Sequence, residues 1–212
     1  MAVYAIVPVK VLGSSKRRLS QILEPQQRKL LTMAMLEDVL GATFSSEVQK
    51  TVVVSDDTLV RSMAVQHGAV YLKEKKRGLN LAIESAVEWC VKDGADSVVV
   101  LPADIPLLSS VDVNSILELG RAQQTVVILS PSHNGGTNAL LLKPPSVINA
   151  CFGAKSFRKH VSEVLTNHVM LKLYYSNSVA MDMDEKADIG KLFQTPNSTH
   201  CRKYLEQIGV RI

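Results

Sequence analysis

No apolar run in this chain approaches the roughly 18–20 residues of a membrane span, and the start Met1-Ala2-Val3-Tyr4-Ala5-Ile6-Val7 lacks the basic stretch that opens a secretory signal. A cytoplasmic protein with no membrane partner is expected. Cysteine is scarce: Cys90, Cys151 and Cys201 are odd in number and far apart, which argues against a disulfide framework or a zinc spacing and predicts buried or inert thiols. Aromatic residues make up only 5% of the chain. The basic stretch Lys73, Lys75, Lys76 and Arg77 has Tyr71 alone as a nearby stacking ring, so a solvated loop is expected there and not a nucleic-acid surface. Neither charge dominates: 24 Lys and Arg stand against 20 Asp and Glu, a net charge of +4 that suits an anionic small molecule. The Walker A and G-x-G-x-x-G nucleotide signatures are also missing.

What is present is a regular alternation. Apolar runs of four to seven residues take turns with amphipathic segments, which is the punctuation of an α/β protein. Strands are expected at 3–9, 51–55, 69–72, 97–101, 125–129, 138–142, 170–175 and 179–183. Helices are expected at 26–40, 57–67, 79–91, 113–121, 157–166, 186–193 and 200–208, several with apolar stripes at helical spacing. No repeat or low-complexity linker divides the chain, so one domain over 1–212 is expected.

Four constellations carry chemistry. The first is Leu101-Pro102-Ala103-Asp104-Ile105-Pro106-Leu107-Leu108. Ser97-Val98-Val99-Val100-Leu101 reads as a buried central strand, and the prolines end ladder pairing just beyond it. Asp104 is thereby placed past the carboxyl end of a central strand, where open α/β sheets bind ligands. Ser109, Ser110 and Asp112 are available to cap the next helix, which leaves Asp104 free for a site. The second is the outlet of the first strand, Pro8-Val9-Lys10 followed by Gly13-Ser14-Ser15-Lys16-Arg17-Arg18. Backbone N–H groups of a Gly/Ser loop, with Lys10, Lys16, Arg17 and Arg18 around it, suit a polyphosphate.

The third is Met181-Asp182-Met183-Asp184. On a strand, Asp182 and Asp184 would share one face, and two carboxylates on one face call for a cation. Magnesium fits, because it needs only one or two carboxylates and completes its shell with phosphate and water; Asp184 has capping of the next helix as its alternative role. The fourth is Gly135-Gly136-Thr137-Asn138 with Phe152-Gly153-Ala154-Lys155-Ser156-Phe157-Arg158-Lys159-His160. Ser156 reads as an N-cap. Arg158 and Lys159 in the first turn oppose the helix dipole, an arrangement that a docked anion would reverse. His160 reads as a helix-face histidine against ligand or core, with no chemistry assigned.

Taken together, these residues resemble the 2-phospho-L-lactate guanylyltransferase family, which serves assembly of the deazaflavin coenzyme F-420. The likeness spans nearly the whole chain. It rests on Ile6-Val7-Pro8-Val9-Lys10 with Lys16-Arg17-Arg18-Leu19, Met35-Leu36-Glu37-Asp38-Val39, Gly78-Leu79-Asn80, Pro102-Ala103-Asp104-Ile105-Pro106, Gly136-Thr137-Asn138-Ala139-Leu140, and Phe152-Gly153 with Ser156-Phe157 and His160. Arg17 departs from the family, which often has a small residue there. The resemblance implies a Rossmann-like, three-layer α/β/α nucleotide-diphospho-sugar transferase fold with a mixed, mostly parallel sheet, assembled as a homodimer. It implies transfer of GMP from GTP to 2-phospho-L-lactate with release of pyrophosphate. Lys16 and Asp104 would be catalytic, and Asp104, Asp182 and Asp184 would hold Mg2+. The nucleotide would lie against Pro8, Val9, Lys10, Lys16, Arg18, Gly78, Asn80, Pro102 and Ala103, and the acid against Thr137, Asn138, Gly153 and Ser156.

Residue chemistry agrees without the family. A phosphate monoester has a second pKa of ~6, so the attacking oxygen is largely ionised at neutral pH and needs no base. What remains is the repulsion of two polyanions, a task for carboxylate-held metal and for cationic side chains. Two other readings share these features: transfer to phosphoenolpyruvate, 3-phosphoglycerate or another phosphorylated acid, and a non-catalytic nucleotide sensor.

Overall fold

The computed structural model describes residues 2–12, 16–74 and 78–210. The Gly13-Ser14-Ser15 loop and the Lys75-Lys76-Arg77 stretch lie outside the described residues.

The first strand, β1 (Val3–Pro8), is buried along its whole length and is the pivot of the sheet. Val3, Ala5 and Val7 enter one apolar layer, and Tyr4 and Ile6 the other, as the two-residue period of a strand covered on both faces requires. Around it stand β2 (Lys50–Ser55), β3 (Val70–Lys73), β4 (Ser97–Val100), β5 (Val126–Pro131), β6 (Thr137–Lys143) and β7 (Leu171–Leu173), in the order β3-β2-β1-β4-β6-β5-β7. Every neighbouring pair is parallel except those of β6, which runs antiparallel to both β4 and β5. The sheet is thus mixed and mostly parallel, as expected.

Helices α1 (Pro25–Phe44), α2 (Thr58–Gln66) and α4 (Ser110–Arg121) cover one face, and α3 (Leu79–Lys92) and α5 (Ser156–Thr166) the other. The α4 start forms as its sequence suggests: Ser109 and Asp112 make a reciprocal capping box. A third, smaller core joins Leu31 and Met35 of α1 to Leu107, Met181, Met183, α7 (Lys186–Gln194) and α8 (His200–Gln207). Cys90 and Cys201 are buried and free, and Cys151 is half-buried and free; burial raises the Cys90 thiol to about 12, so it stays protonated and inert. Among the described residues no helix is long and apolar enough to cross a membrane.

One expected strand does not form. Residues 179–183 instead end a short helix, α6 (Asn177–Ala180), and run on as extended chain without a ladder. Polar groups from the β5–β6 region, together with the local Ser176 hydroxyl, have taken backbone bonds a ladder would use. The Ser176 hydroxyl accepts from Val179 N–H, Asn138 Nδ2 donates to the Val179 carbonyl at 2.8 Å, and Ala180 O accepts from His133 N–H.

Topology selects one end of this sheet. From β1 the chain moves outward through β2 and β3, then returns to place β4 on the other side of β1. Adjacent strand outlets that diverge in this way leave a crevice beyond their carboxyl ends. The outlets of β1 and β4 are Val9-Lys10 and Leu101-Pro102-Ala103-Asp104.

Candidate active site

A cavity of about 250 Å³ fills that crevice, lined by Pro8, Val9, Lys10 and Lys16 from the first outlet and by Pro102, Ala103 and Asp104 from the second. Thr32, Leu79, Phe152 and Asp184 complete its wall. A second hollow shares Pro8, Val9, Lys10 and Leu79 and extends the groove over Glu74, Gly78 and Ala82. Gly78 caps α3 at φ +132°, a backbone conformation that side chains rarely adopt. A larger hollow of about 450 Å³ lies between α3 and the 145–150 segment that follows β6. Its charged lining is Glu84, Glu88 and Lys92, a net negative set that would repel a polyanion.

At the floor of the crevice Lys16 bridges two carboxylates. Its Nζ lies 2.7 Å from Asp104 Oδ2 and 2.7 Å from Asp184 Oδ1. The lysine side chain is only 6% exposed, whereas those of Asp104 and Asp184 are 33% and 39% exposed, so the acids open toward the cavity and the ammonium sits beneath. Lys16 itself is in the left-handed region, at φ 53° and ψ 41°, where a non-glycine residue is uncommon. The 3-10 turn that follows (Arg17–Gln21) holds it there, with Leu19 buried in the third core and its N–H on the Lys16 carbonyl.

These charges tune one another. Burial alone would lower the Lys16 pKa, but Asp104 and Asp184 outweigh it and the group ends above its ordinary value. Burial likewise opposes the charge on Asp104, and Lys16 and Lys10 more than offset it, leaving the carboxyl below its usual range. Asp182 moves the other way: burial raises it first, and the negative charges of Asp104 and Asp184 add to the rise. Asp182 is therefore the acid with most to gain from a further cation.

The Met181-Asp182-Met183-Asp184 pattern works without a strand. Met183 N–H donates to the Asp104 carbonyl at 2.9 Å, and Met181 and Met183 are buried in the third core while both aspartates are partly exposed. The period of two survives because the segment is extended: Asp184 reaches the Lys16 bridge and lines the cavity, while Asp182 lies outside the cavity lining and feels Asp104 and Asp184 through their charge. Among the described residues no three His, Cys, Asp or Glu side chains already stand in ligand geometry. The donor set of hard carboxylate oxygens fits an ion such as Mg2+ that brings phosphate and water as its other ligands.

The fourth constellation gathers at the same end of the sheet, because the antiparallel register of β4 and β6, with Val100 opposite Leu140, sets Thr137 beside the β4 outlet. An added Cβ at Gly136 would meet Ser132 Oγ at 2.8 Å, so the Ser132 hydroxyl, which accepts from the Gly136 N–H, would have to turn away. Ser156 is not the N-cap of α5. Lys155 takes that position in the left-handed region, and the Ser156 N–H turns back to the Gly153 carbonyl. This leaves Ser156 1% exposed, with a hydroxyl that makes no hydrogen bond among the described residues.

Other residues expected at the site hold its walls. Asn80 clasps Phe152, accepting from its N–H at 2.7 Å and donating to its carbonyl at 3.2 Å. Asn138 tethers α6 ahead of the aspartates. Arg18 is exposed and pairs with Glu185 at 2.8 Å. Thr32 and the Phe152 ring are cavity residues that sequence reasoning missed as such; for Thr32 the only signal was a polar residue within the apolar face of α1.

His160 is fully buried behind Phe152, its ring edge-on to that ring at 5.0 Å. Burial, helped by Lys159, lowers its pKa to about 4. The unfolded ring titrates near 6.5, so the unfolded chain binds more protons between those values. The neutral ring thus stabilises the fold fully above pH ~6.5, and up to about 3 kcal/mol is lost as pH falls from there toward 4. Urea midpoints of the wild type and His160→Gln should show the steeper loss between pH 7 and 5 in the wild type.

The sequence profile of the family described as "Guanylyl transferase CofC like" matches residues 3–212. Phosphoenolpyruvate guanylyltransferase of Rubrobacter xylanophilus is 36% identical over 192 residues, covering 91% of this chain and 94% of that protein. The 2-phospho-L-lactate guanylyltransferase of Methanothermobacter thermautotrophicus is 35% identical over 209 residues, covering 98% and 92%. Among solved structures, a candidate nucleotide-diphospho-sugar transferase of Desulfovibrio desulfuricans G20 has the same fold, with a TM-score of 0.81 at 17% identity over 99% of this chain and 96% of that one. A nucleotidyl transferase of Methanothermobacter also shares it, with a TM-score of 0.71 at 15% identity over 97% and 99%. A profile match along nearly the whole chain, with relatives above 30% identity of similar length, places this protein in the CofC-like guanylyl transferase family.

Proposed function

We propose that this chain transfers GMP from GTP to the phosphate of a small phosphorylated acid, with 2-phospho-L-lactate as acceptor. An acceptor phosphate oxygen attacks the α-phosphorus, the bond from that phosphorus to the α,β-bridging oxygen breaks, and pyrophosphate leaves. The observation that carries the reading is the buried Lys16 between Asp104 and Asp184 at the crevice of β1 and β4. Two polyanions need neutralisation more than they need a base. Lys16 and Lys10 would meet triphosphate charge, and Pro8, Val9, Gly78, Pro102 and Ala103 would bound the nucleoside. Asp104, with Asp182 and Asp184, would hold Mg2+, which supplies charge stabilisation for the transferring group when bound. Thr137, Gly153 and Ser156 would receive the acid.

Phosphoenolpyruvate is the second reading, favoured by the name of the Rubrobacter relative. The test is pyrophosphate release from each nucleoside triphosphate with Mg2+ and 2-phospho-L-lactate, phosphoenolpyruvate or 3-phosphoglycerate. GTP with 2-phospho-L-lactate should give the highest kcat/KM. A higher value with phosphoenolpyruvate would move the assignment to that acid, and no release with any pair would leave a nucleotide sensor. Ser156→Ala should raise the acceptor KM about tenfold, the worth of one hydrogen bond to a charged group, with the GTP KM nearly unchanged; an equal rise in both would place the acid elsewhere. The reading extends to a cytoplasmic homodimer, whose assembly sedimentation would check.

A further inference from the structure

His160 makes two hydrogen bonds, and together they leave its ring one state. The Cys151 N–H donates to Nε2 at 2.8 Å, and Thr137 Oγ1 lies 2.9 Å from Nδ1. A backbone N–H has no option but to donate, so Nε2 is the lone-pair nitrogen and the proton of the neutral imidazole is on Nδ1. Nδ1–H then donates to Thr137 Oγ1. The Thr137 hydroxyl proton is left with no acceptor among the described residues; the Ser156 hydroxyl lies near the preceding residue, 3.8 Å from where a Cβ on Gly136 would stand. An imidazolium is disfavoured by the same contacts, since a protonated Nε2 would face the Cys151 N–H donor to donor; the low pKa of this ring agrees.

We propose that His160 is a positioning residue: fixed as the Nδ1–H tautomer by the Cys151 amide, it frees the Thr137 hydroxyl proton to donate elsewhere, and so favours an acceptor-only anionic group of the acid substrate. The inference rests on the reading of Thr137 as part of the acid pocket. A carboxylate or phosphate oxygen only accepts, so it meets the freed hydroxyl proton. An ammonium at the same place could reach only the second lone pair of Oγ1 and would leave the hydroxyl proton without an acceptor, so it is the poorer match. His160 need not touch the ligand; it acts through Thr137.

Three single variants, one double variant and one spectrum test this. His160→Gln keeps an acceptor within reach of the Cys151 N–H and loses the donor to Thr137, whereas His160→Asn keeps a donor near the Nδ1 position. Thr137→Val removes the hydroxyl at nearly constant shape. With saturating GTP, His160→Gln and Thr137→Val should each raise the KM for 2-phospho-L-lactate about tenfold. The double variant should be no worse than Thr137→Val alone, because the histidine has lost the group it positions. His160→Asn should recover most of the loss, and the GTP KM should stay within a factor of two throughout. Multiplying effects in the double variant, or equal rises for GTP and acid, would overturn the proposal in favour of a purely structural histidine.

The unaltered protein gives an independent answer should the variants not fold. Long-range 1H–15N correlation of the His160 ring at pH 7 should show the proton on Nδ1; a proton on Nε2, or on both nitrogens, overturns the proposal. That spectrum needs no turnover. Absence of acid-dependent pyrophosphate release would therefore count against the proposed function, and the wrong tautomer against this inference.

Discussion

Asp104→Asn should lower kcat by at least about 10²–10³-fold, the range found when one preorganised charge-stabilising group is removed. The substitution is nearly isosteric, and the backbone around it is held independently of the side chain, because the Asp104 carbonyl accepts from Met183 N–H. What is lost is charge. The carboxylate faces Lys16 at 2.7 Å below and the cavity above, so asparagine removes both a counter-ion of Lys16 and a hard oxygen donor for a divalent ion. With a third of the side chain exposed, solvent screens the lost pair. The stability cost should be about 1 kcal/mol, or roughly 2–4 °C in Tm for a chain of this size. Turnover assays paired with thermal melts check this, and wild-type kcat in the variant would refute the role.

Lys16→Met should be nearly as damaging to turnover, again about 10²–10³-fold, with an opposite effect on cation binding. The ammonium supplies the positive charge now shared by Asp104 and Asp184. Methionine fills the buried volume but takes away the main positive charge among Asp104, Asp182 and Asp184, with Lys10 as a remaining, weaker compensation at Asp104. In the absence of GTP, the variant should bind Mn2+ more tightly than the wild type, read by the quenching of its electron paramagnetic resonance signal. Weaker Mn2+ binding would mean that the three acids do not act on a common cation. Mn2+ should also raise the Tm of this variant more than that of the wild type, since binding only the folded state stabilises it.

Much of this site was legible in the chain because its residues stand where local rules act. Proline on both sides of the Ala103-Asp104-Ile105 segment marks a strand outlet, and the sheet order confirms that this outlet borders the crevice. The Asp182 and Asp184 pairing was legible for the wrong reason. Alternation depends only on extended backbone, and buried methionines supply it without a ladder. Ser156 misled because serine is a good N-cap, and here the left-handed Lys155 turns the chain first. The Lys16 bridge spans 88 residues to Asp104 and 168 to Asp184, and no spacing rule reaches that far. The state of His160 was hidden for a similar reason: it depends on a backbone N–H in the loop before α5 and a hydroxyl at the start of β6.

Carboxylates from two separate loops should hold one divalent ion against the triphosphate. Anomalous diffraction from crystals grown with GTP and Mn2+ reads this directly. A manganese peak is expected in contact with Asp104 and with Asp182 or Asp184, and with Lys16 turned to the phosphates. A peak bound to the triphosphate alone, with Lys16 still bridging Asp104 and Asp184, would contradict it.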